Sequence, residues 1–184
     1  ADGHAYLLGE LSKSDLDINY LPGFAAAAAR MKEPAGLTTL RAAIATQRSR
    51  GYPYYKRAVT ALASVQSADA VPVIREVFKN NPGNNELFRK IFGRIDDNTT
   101  LKNTPDFAHL VRDLVLAEGD NTEDLRADAL LTLDDVKTDD ARDTLKTVVE
   151  KSTSERIKAL AQRTLETNFA AAAVPAGATK KPKK

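Results

Sequence analysis

Apolar residues recur at every third or fourth position through most of the chain, the period of helices that bury one face. The pattern is clearest when residues 54–80 are aligned with residues 125–151, which match without a gap. Polar stretches at 66–69 and 137–140 divide each segment in two, and their Ser and Asp residues are typical of a turn and a helix cap. Each segment therefore predicts two antiparallel helices, a first helix A and a second helix B.

The same apolar slots define a repeat. Weaker copies of the template occur at residues 24–44 and at 85–115, where a longer turn at 96–104 separates A from B, and a last A helix is predicted at 155–168. The chain thus predicts four helix pairs and a closing helix. In the two best copies Ala58, Leu62 and Val65 match Ala129, Leu133 and Val136 in helix A, and Ala70 and Ile74 match Ala141 and Leu145 in helix B.

An acidic residue at the start of helix B precedes a basic residue by six positions in three copies: Asp69 and Arg75, Asp106 and Arg112, Asp140 and Lys146. This spacing resembles the Asp/Arg ladder of HEAT repeats, and residues 125–141 resemble the turn-flanked A helix of that family. The resemblance covers residues 20–168. It implies an all-α fold, a right-handed α-solenoid, in which the ladder links successive repeats along the inner face.

The ends of the chain lack the repeat. Residues 1–19 predict an irregular N-terminal cap that covers the first repeat with Tyr6, Leu7, Leu8 and Leu11. Residues 169–184 are rich in Ala, Pro and Lys and lack an apolar pattern, so they predict a disordered tail. The repeat domain is expected at 20–168.

The composition of the chain argues against several kinds of metal-binding and catalytic site. The chain has no Cys and only two His, His4 and His109, which argues against thiolate or histidine-rich metal sites. The acidic stretch 134–143 contains no Gly and is expected to be a solvated turn rather than a calcium loop. Motifs of common hydrolases, phosphate-binding loops and dinucleotide sites are absent. We therefore predict no catalytic site, no cofactor and no metal.

Charge is segregated along the chain. Residues 1–95 carry 13 Lys and Arg against 8 Asp and Glu, whereas residues 96–169 carry 10 against 17. The remaining four Lys lie in the last five residues. Such asymmetry allows head-to-tail self-association or a partner with charge complementary to one end. No apolar run approaches the roughly 20 residues that a membrane-spanning helix needs.

The segment 46–57 combines basic and aromatic side chains without an acid. Such a mixture is typical of a protein-binding hot spot, or of a site where bases stack on rings. It is also explained by a connection between repeats in which a tyrosine packs into the next layer. The first candidate surface lies on the B helices, where we select Arg75, Lys79 and Arg112, and the segment is the second candidate. The candidates in the segment are Arg48, Arg50, Tyr52, Tyr54, Tyr55, Lys56 and Arg57.

These observations predict a non-catalytic scaffold for protein–protein interaction or assembly, with a protein partner and an undetermined oligomeric state. One alternative is polyanion or nucleic-acid binding through the basic N-terminal half, as in some HEAT-like DNA glycosylases. The net negative charge of residues 1–169 and the absence of Trp argue against it. The other alternative is an enzyme resembling the HEAT-like lyases that attach bilins. The sequence begins Ala-Asp-Gly-His, which is typical of a cleaved signal peptide and favours export to the periplasm or envelope, with a cytoplasmic location as the alternative.

Overall fold

The structure is a computed structural model that describes residues 2–13, 17, 19–50 and 52–169, with backbone only at residues 2, 47–50 and 52–54. The described residues are all-α, as predicted, and contain no strand. Their eleven helices are α1 Asp2–Leu11, α2 Leu21–Arg30, α3 Pro34–Arg50, α4 Tyr52–Ala63, α5 Ala70–Asn80, α6 Asn85–Ile95, α7 Thr99–Lys102, α8 Pro105–Leu116, α9 Glu123–Leu131, α10 Asp139–Lys151 and α11 Glu155–Phe169.

The helices lie where the apolar period places them, with three differences. The N-terminal segment, expected to be irregular, contains α1, which packs against α2 and buries Leu7. The long turn at 96–104 contains a further short helix, α7. Met31, which with Phe24 and Ala28 fills the apolar slots of the first A helix in the repeat pattern, is 48% exposed because the Ala residues of α2 supply the buried face instead. The predicted tail from residue 170 onward lies outside the described residues.

Polar side chains fix where several helices begin. Thr104, Thr122 and Thr138 each accept a hydrogen bond from the backbone N–H three residues later, at 3.2, 3.4 and 3.2 Å. Each satisfies one of the free N–H groups at a helix start. The turn at 137–140 therefore supplies its cap through Thr138. Asp69 stands at the same position before α5 but forms no side-chain capping bond.

Five of the helices form a row in which each helix contacts the next one. We call α2, α4, α6, α9 and α11 the A row, because each packs against the next. On the other side, α5 packs against α8 and α8 against α10, while α3 packs against both α2 and α4. The three inner helices of the A row, α4, α6 and α9, thus each have an A-row neighbour before and after them along the chain.

One continuous hydrophobic cluster extends from Ala25 in α2 to Ala161 in α11. The slots named for the two best copies of the repeat are all buried, and all except Ala58 belong to this cluster, including Leu62, Ile74 and Leu133 with no exposed surface. Phe78 of α5 joins two rings of α6, with centroids 4.4 Å from Phe88 and 5.4 Å from Phe92. Since no single helix pair encloses these side chains, each pair depends on its neighbours for burial.

Two asparagines bridge neighbouring A-row helices. The amide of Asn98 donates to the carbonyls of Ala63 and Val65 at the end of α4, at 3.3 and 2.9 Å. Asn168 donates in the same way to Leu133 and Val136, after α9, at 3.1 and 3.4 Å. The carbonyls at the end of a helix lack partners within that helix, so these bonds satisfy groups that burial would otherwise leave unpaired.

Arg126 of α9 is the centre of a partly buried polar network. Its side chain is 5% exposed and donates to the Val115 carbonyl at 2.6 Å, to Glu118 at 2.7 Å and to the Ser152 hydroxyl at 3.0 Å. Glu118 also accepts from the hydroxyl and the backbone N–H of Thr153. The network therefore ties the ends of α8 and α10 to α9.

The bonds from Thr153, with smaller contributions from Ser152 and the Arg126 charge, lower the pKa of Glu118 to about 2 from an ordinary 4.5. A carboxyl with a depressed pKa stabilises the fold above its unfolded pKa, and this contribution disappears as the pH falls through the folded pKa. Glu118→Gln should therefore lower the free energy of unfolding at neutral pH, and the difference from wild type should shrink between about pH 4.5 and about pH 2. Urea unfolding across this range measures it.

Glu150→Gln is the matched control, because Glu150 is exposed and forms no salt bridge with a described residue. Its unfolding should follow that of wild type throughout. A Glu118→Gln deficit that persists unchanged at the lowest pH would show that the ionised carboxylate is not what stabilises the network.

Gly36 lets α3 approach the backbone of α2. A Cβ built on Gly36 would lie 2.3 Å from the backbone N of Ala29 and 2.6 Å from the carbonyl O of Ala25. Backbone atoms in a packed helix cannot move aside cheaply. We expect Gly36→Ala to destabilise the protein by about 2 kcal/mol or more. In contrast, Gly93 of α6 has open space around the same position, so Gly93→Ala should stabilise by about 0.5–1 kcal/mol. Thermal unfolding of both variants decides whether α2 and α3 are this close.

Candidate binding surfaces

A large surface depression crosses the A row at α2, α4 and α6, with a volume of about 1000 Å³. We call it the basic groove. Small residues of all three helices form part of its lining: Gly23 and Ala26 of α2, Ala61 of α4 and Gly93 of α6. They leave the helix backbones close to the surface, so the groove is wide at its base. The rest of the lining is Asn19, Pro22, Arg30, Lys56, Arg57, Thr60, Ser64, Lys90 and Arg94.

Five cationic side chains line the basic groove, and none of the described lining residues is acidic or aromatic. Three of the five, Arg30, Arg57 and Arg94, are exposed and form no salt bridge with a described residue. Arg57 instead donates to the side-chain carbonyl of Asn19. No described carboxylate therefore neutralises these three positive charges.

Glu86 is the counter-ion of the other two cations. Its carboxylate lies 2.9 Å from Nζ of Lys56 and 3.0 Å from Nζ of Lys90. Hydrogen bonds from these two ammonium groups lower the pKa of Glu86. The described residues that line the groove, counted together with this shared carboxylate, keep an excess of positive charge.

The hydroxyl groups of the groove point their protons into the helix. Thr60 donates to the Lys56 carbonyl at 2.6 Å, and Ser64 donates to the Ala61 carbonyl at 2.7 Å. A hydroxyl has one proton and two acceptor lone pairs. While the proton lies on that carbonyl, each oxygen presents acceptor lone pairs to a molecule in the groove.

Salt bridges connect successive helices of the A row beyond the groove. Arg89 of α6 lies 2.8 Å from Asp128 of α9, and Arg156 of α11 lies 2.7 Å from Asp124 of α9. The Arg156 hydrogen bond and charge, helped by the charge of Arg89, lower the pKa of Asp124. Exposed pairs of this kind contribute little to stability, so they set register more than stability.

A second depression, of about 260 Å³, lies between α5 and α8. We call it the cleft. Arg75, Lys79 and Asp113 line it, together with the apolar side chains of Phe78 and Leu114. Arg75 and Arg112 both form salt bridges with Asp113. Partial burial opposes ionisation of Asp113, but the hydrogen bonds and charges of the two arginines outweigh it and lower its pKa.

The ladder implied by the HEAT resemblance differs in its partners. Arg75 does connect α5 with the next B helix, α8, but through Asp113 rather than through Asp106 at the helix start. Asp140 of α10 lies 3.7 Å from His109 of α8. A regular chain of ion pairs between neighbouring helices is found instead on the A row.

The structure divides the candidates chosen from the sequence among three locations. Lys56 and Arg57 line the basic groove, whereas Arg75 and Lys79 line the cleft, with Arg112 beside it. Tyr55 is only 4% exposed and its hydroxyl accepts from the Asn81 amide, so it packs in the core. The side chains of Arg48, Arg50, Tyr52 and Tyr54 lie outside the described residues.

The sequence analysis missed three cations of the groove, Arg30, Lys90 and Arg94, because they are far from the basic segment along the chain. A signal for two of them was present. Aligning 85–95 with 55–65 places Lys90 in the slot of Thr60 and Arg94 in the slot of Ser64. A comparison of the polar positions of the repeat, as well as its apolar positions, would have placed Lys90 and Arg94 on the same surface as Thr60 and Ser64.

Carboxylates of the acidic stretch 134–143 pair with side chains from other parts of the fold. Asp135 lies 2.7 Å from Nζ of Lys102, which is 3% exposed, and Asp134 accepts from Thr164 at 3.2 Å. Across the described residues, no group of three or more His, Cys, Asp or Glu side chains is arranged to hold a metal ion. In the same part of the chain, no helix combines the length and apolar character needed to cross a membrane.

Comparison with family models, with curated proteins and with solved structures finds no match to this chain.

Proposed function

We propose that this protein is a non-catalytic module for protein–protein interaction or assembly, and that its partner binds in the basic groove. The observation that carries the proposal is the cluster of three exposed arginines without salt bridges, Arg30, Arg57 and Arg94, around a wide groove. Arginine is over-represented at binding hot spots because its guanidinium makes several directed hydrogen bonds.

We further propose that the helices form a right-handed α-solenoid of HEAT-like repeats. The pairs would be α2 with α3, α4 with α5, α6 with α8 and α9 with α10, and α11 would close the array. The succession of contacts along the A row and the single continuous core support this arrangement. The right hand and the family follow from the resemblance in sequence. Export from the cytoplasm stays a prediction from the sequence.

Polyanion binding is the second candidate, because the same groove favours phosphate groups as well as carboxylates. No described residue that lines the groove is aromatic, so base stacking, the main contribution to single-strand binding, is not supplied there. The lyase-type alternative rests on the family resemblance. We therefore rank protein binding first.

An affinity capture from cell extract with three charge-matched variants tests the proposal. The groove variant is Arg30→Gln/Arg57→Gln/Arg94→Gln, which keeps helix-compatible side chains while removing three positive charges. We expect wild type to retain a protein after nuclease treatment, and the groove variant to lose at least about tenfold of it, because each charge-assisted contact at an interface contributes measurably. Quantitative mass spectrometry of the eluates gives the ratio.

Two further variants remove the same charge elsewhere and control for net charge. The cleft variant tests the surface first suggested on the B helices, and the control variant changes exposed cations without a salt bridge to a described residue. Equal loss in all three would mean that only net charge matters, and loss in the cleft variant alone would move the binding surface to α5 and α8. The substitutions are Arg75→Gln/Lys79→Gln/Arg112→Gln for the cleft and Lys137→Gln/Lys151→Gln/Arg163→Gln for the control.

A further inference from the structure

We propose that the basic groove recognises an acidic segment of a protein partner, with carboxylates on the arginines and peptide N–H groups on the hydroxyl oxygens of α4. The inference rests on the proposed function and specifies the chemistry of the partner. Three properties of the groove lead to it, namely its unneutralised charge, its shape and the direction of its hydroxyl groups.

The charge of the groove is not needed by the fold. Elsewhere on the A row, Arg89 and Arg156 are each neutralised by a carboxylate of α9. Arg30, Arg57 and Arg94 have no such carboxylate among the described residues, although they lie on the same row of helices. A planar guanidinium matches the two oxygens of a carboxylate, so three of them present a site for a ligand with several negative charges.

The shape suits a chain segment. The groove crosses three helices, and its volume of about 1000 Å³ is at the upper end of what small-molecule sites enclose. Gly23, Ala61 and Gly93 have no long side chains that would keep a ligand away from the helix backbones. A peptide in an extended form can therefore lie along α4 while its side chains reach the cations on either side.

The hydroxyl groups distinguish a peptide from a phosphate polymer. Thr60 and Ser64 have used their protons within α4, so toward the groove they only accept hydrogen bonds. Phosphate oxygens are acceptors too and gain nothing from them. A peptide backbone offers N–H donors for these oxygens as well as carboxylates for the arginines. The groove therefore matches both kinds of group in an acidic peptide.

Fluorescence anisotropy with a labelled Glu-Ser repeat peptide tests this chemistry on the full chain. The groove variant should bind it about 30-fold more weakly than wild type, since each lost contact of an exposed charge is worth about threefold. The control variant should stay within about twofold of wild type. A Gln-Ser repeat peptide should show no binding, because it has no carboxylate. Circular dichroism confirms that the variants keep the wild-type helix content.

A second variant tests the hydroxyl groups. Thr60→Val/Ser64→Ala keeps the size of the groove but removes both acceptors, so it should weaken the Glu-Ser peptide by about three- to tenfold. The affinity of this variant for inorganic tripolyphosphate, measured by competition with the labelled peptide, should equal that of wild type. If the peptide and tripolyphosphate respond equally, the peptide backbone is not recognised and the proposal is wrong.

Other outcomes separate this inference from the proposed function. Tighter binding of an oligothymidine that depends on the same three arginines would identify a phosphate-polymer site and overturn the inference. If the groove variant loses its captured protein while the Glu-Ser peptide fails to bind wild type, the inference fails and the proposed function stands. If the peptide needs the groove but the captured protein does not, the groove chemistry is right and the proposed function is wrong.

Discussion

The apolar seam that runs from α2 to α11 is the constraint on which the rest of the structure depends. No helix pair has enough apolar partners within itself, so Phe78 of α5 is enclosed by Phe88 and Phe92 of the next A-row helix. The helices must therefore stack in order, and the face of each A-row helix that points away from the seam meets water beside the same face of its neighbours. Residues far apart in sequence form one surface because of this stacking.

Charged side chains are arranged in two different ways on the outer face of the A row. Between α6, α9 and α11, opposite charges face each other and cancel. Between α2, α4 and α6, arginines and small residues face each other, and the result is a groove with uncompensated positive charge. Exposed ion pairs add little to stability, so the fold tolerates either arrangement. Arg30, Arg57 and Arg94 have no carboxylate partner among the described residues, and this is the reason that we propose the groove as a binding surface.

The sequence predicted the helices well where apolar spacing alone determines them. The A helix at 85–95 was predicted at the positions where α6 lies, and the closing helix at 155–168 differs from α11 by one residue. Less was predicted where the determinants lie outside one helix. The helix α1 packs on α2, and Met31 is exposed because five small or cyclic residues of α2 already fill the interface.

The binding surface was only partly predictable for a related reason. The basic segment pointed to Lys56 and Arg57, but a local cluster of charges does not show which way each side chain faces. Tyr55 turned inward to bond Asn81, while Arg30 and Arg94 joined the surface from other helices. Only the packing of one A-row helix on the next brings these arginines together. The hydroxyl orientation of Thr60 and Ser64 depends on helix geometry and has no signature in a single sequence.

The most direct test of this account is a ¹⁵N–¹H correlation spectrum of the labelled protein during addition of the Glu-Ser repeat peptide. The account predicts that the amide signals of Gly23, Thr60 and Gly93 shift together with peptide concentration, because these residues of three different helices line one groove. Signals of α5 and α8 around the cleft should stay in place. Shifts confined to α5 and α8, or spread over every exposed cation, would contradict the claim that the groove on α2, α4 and α6 is the binding surface.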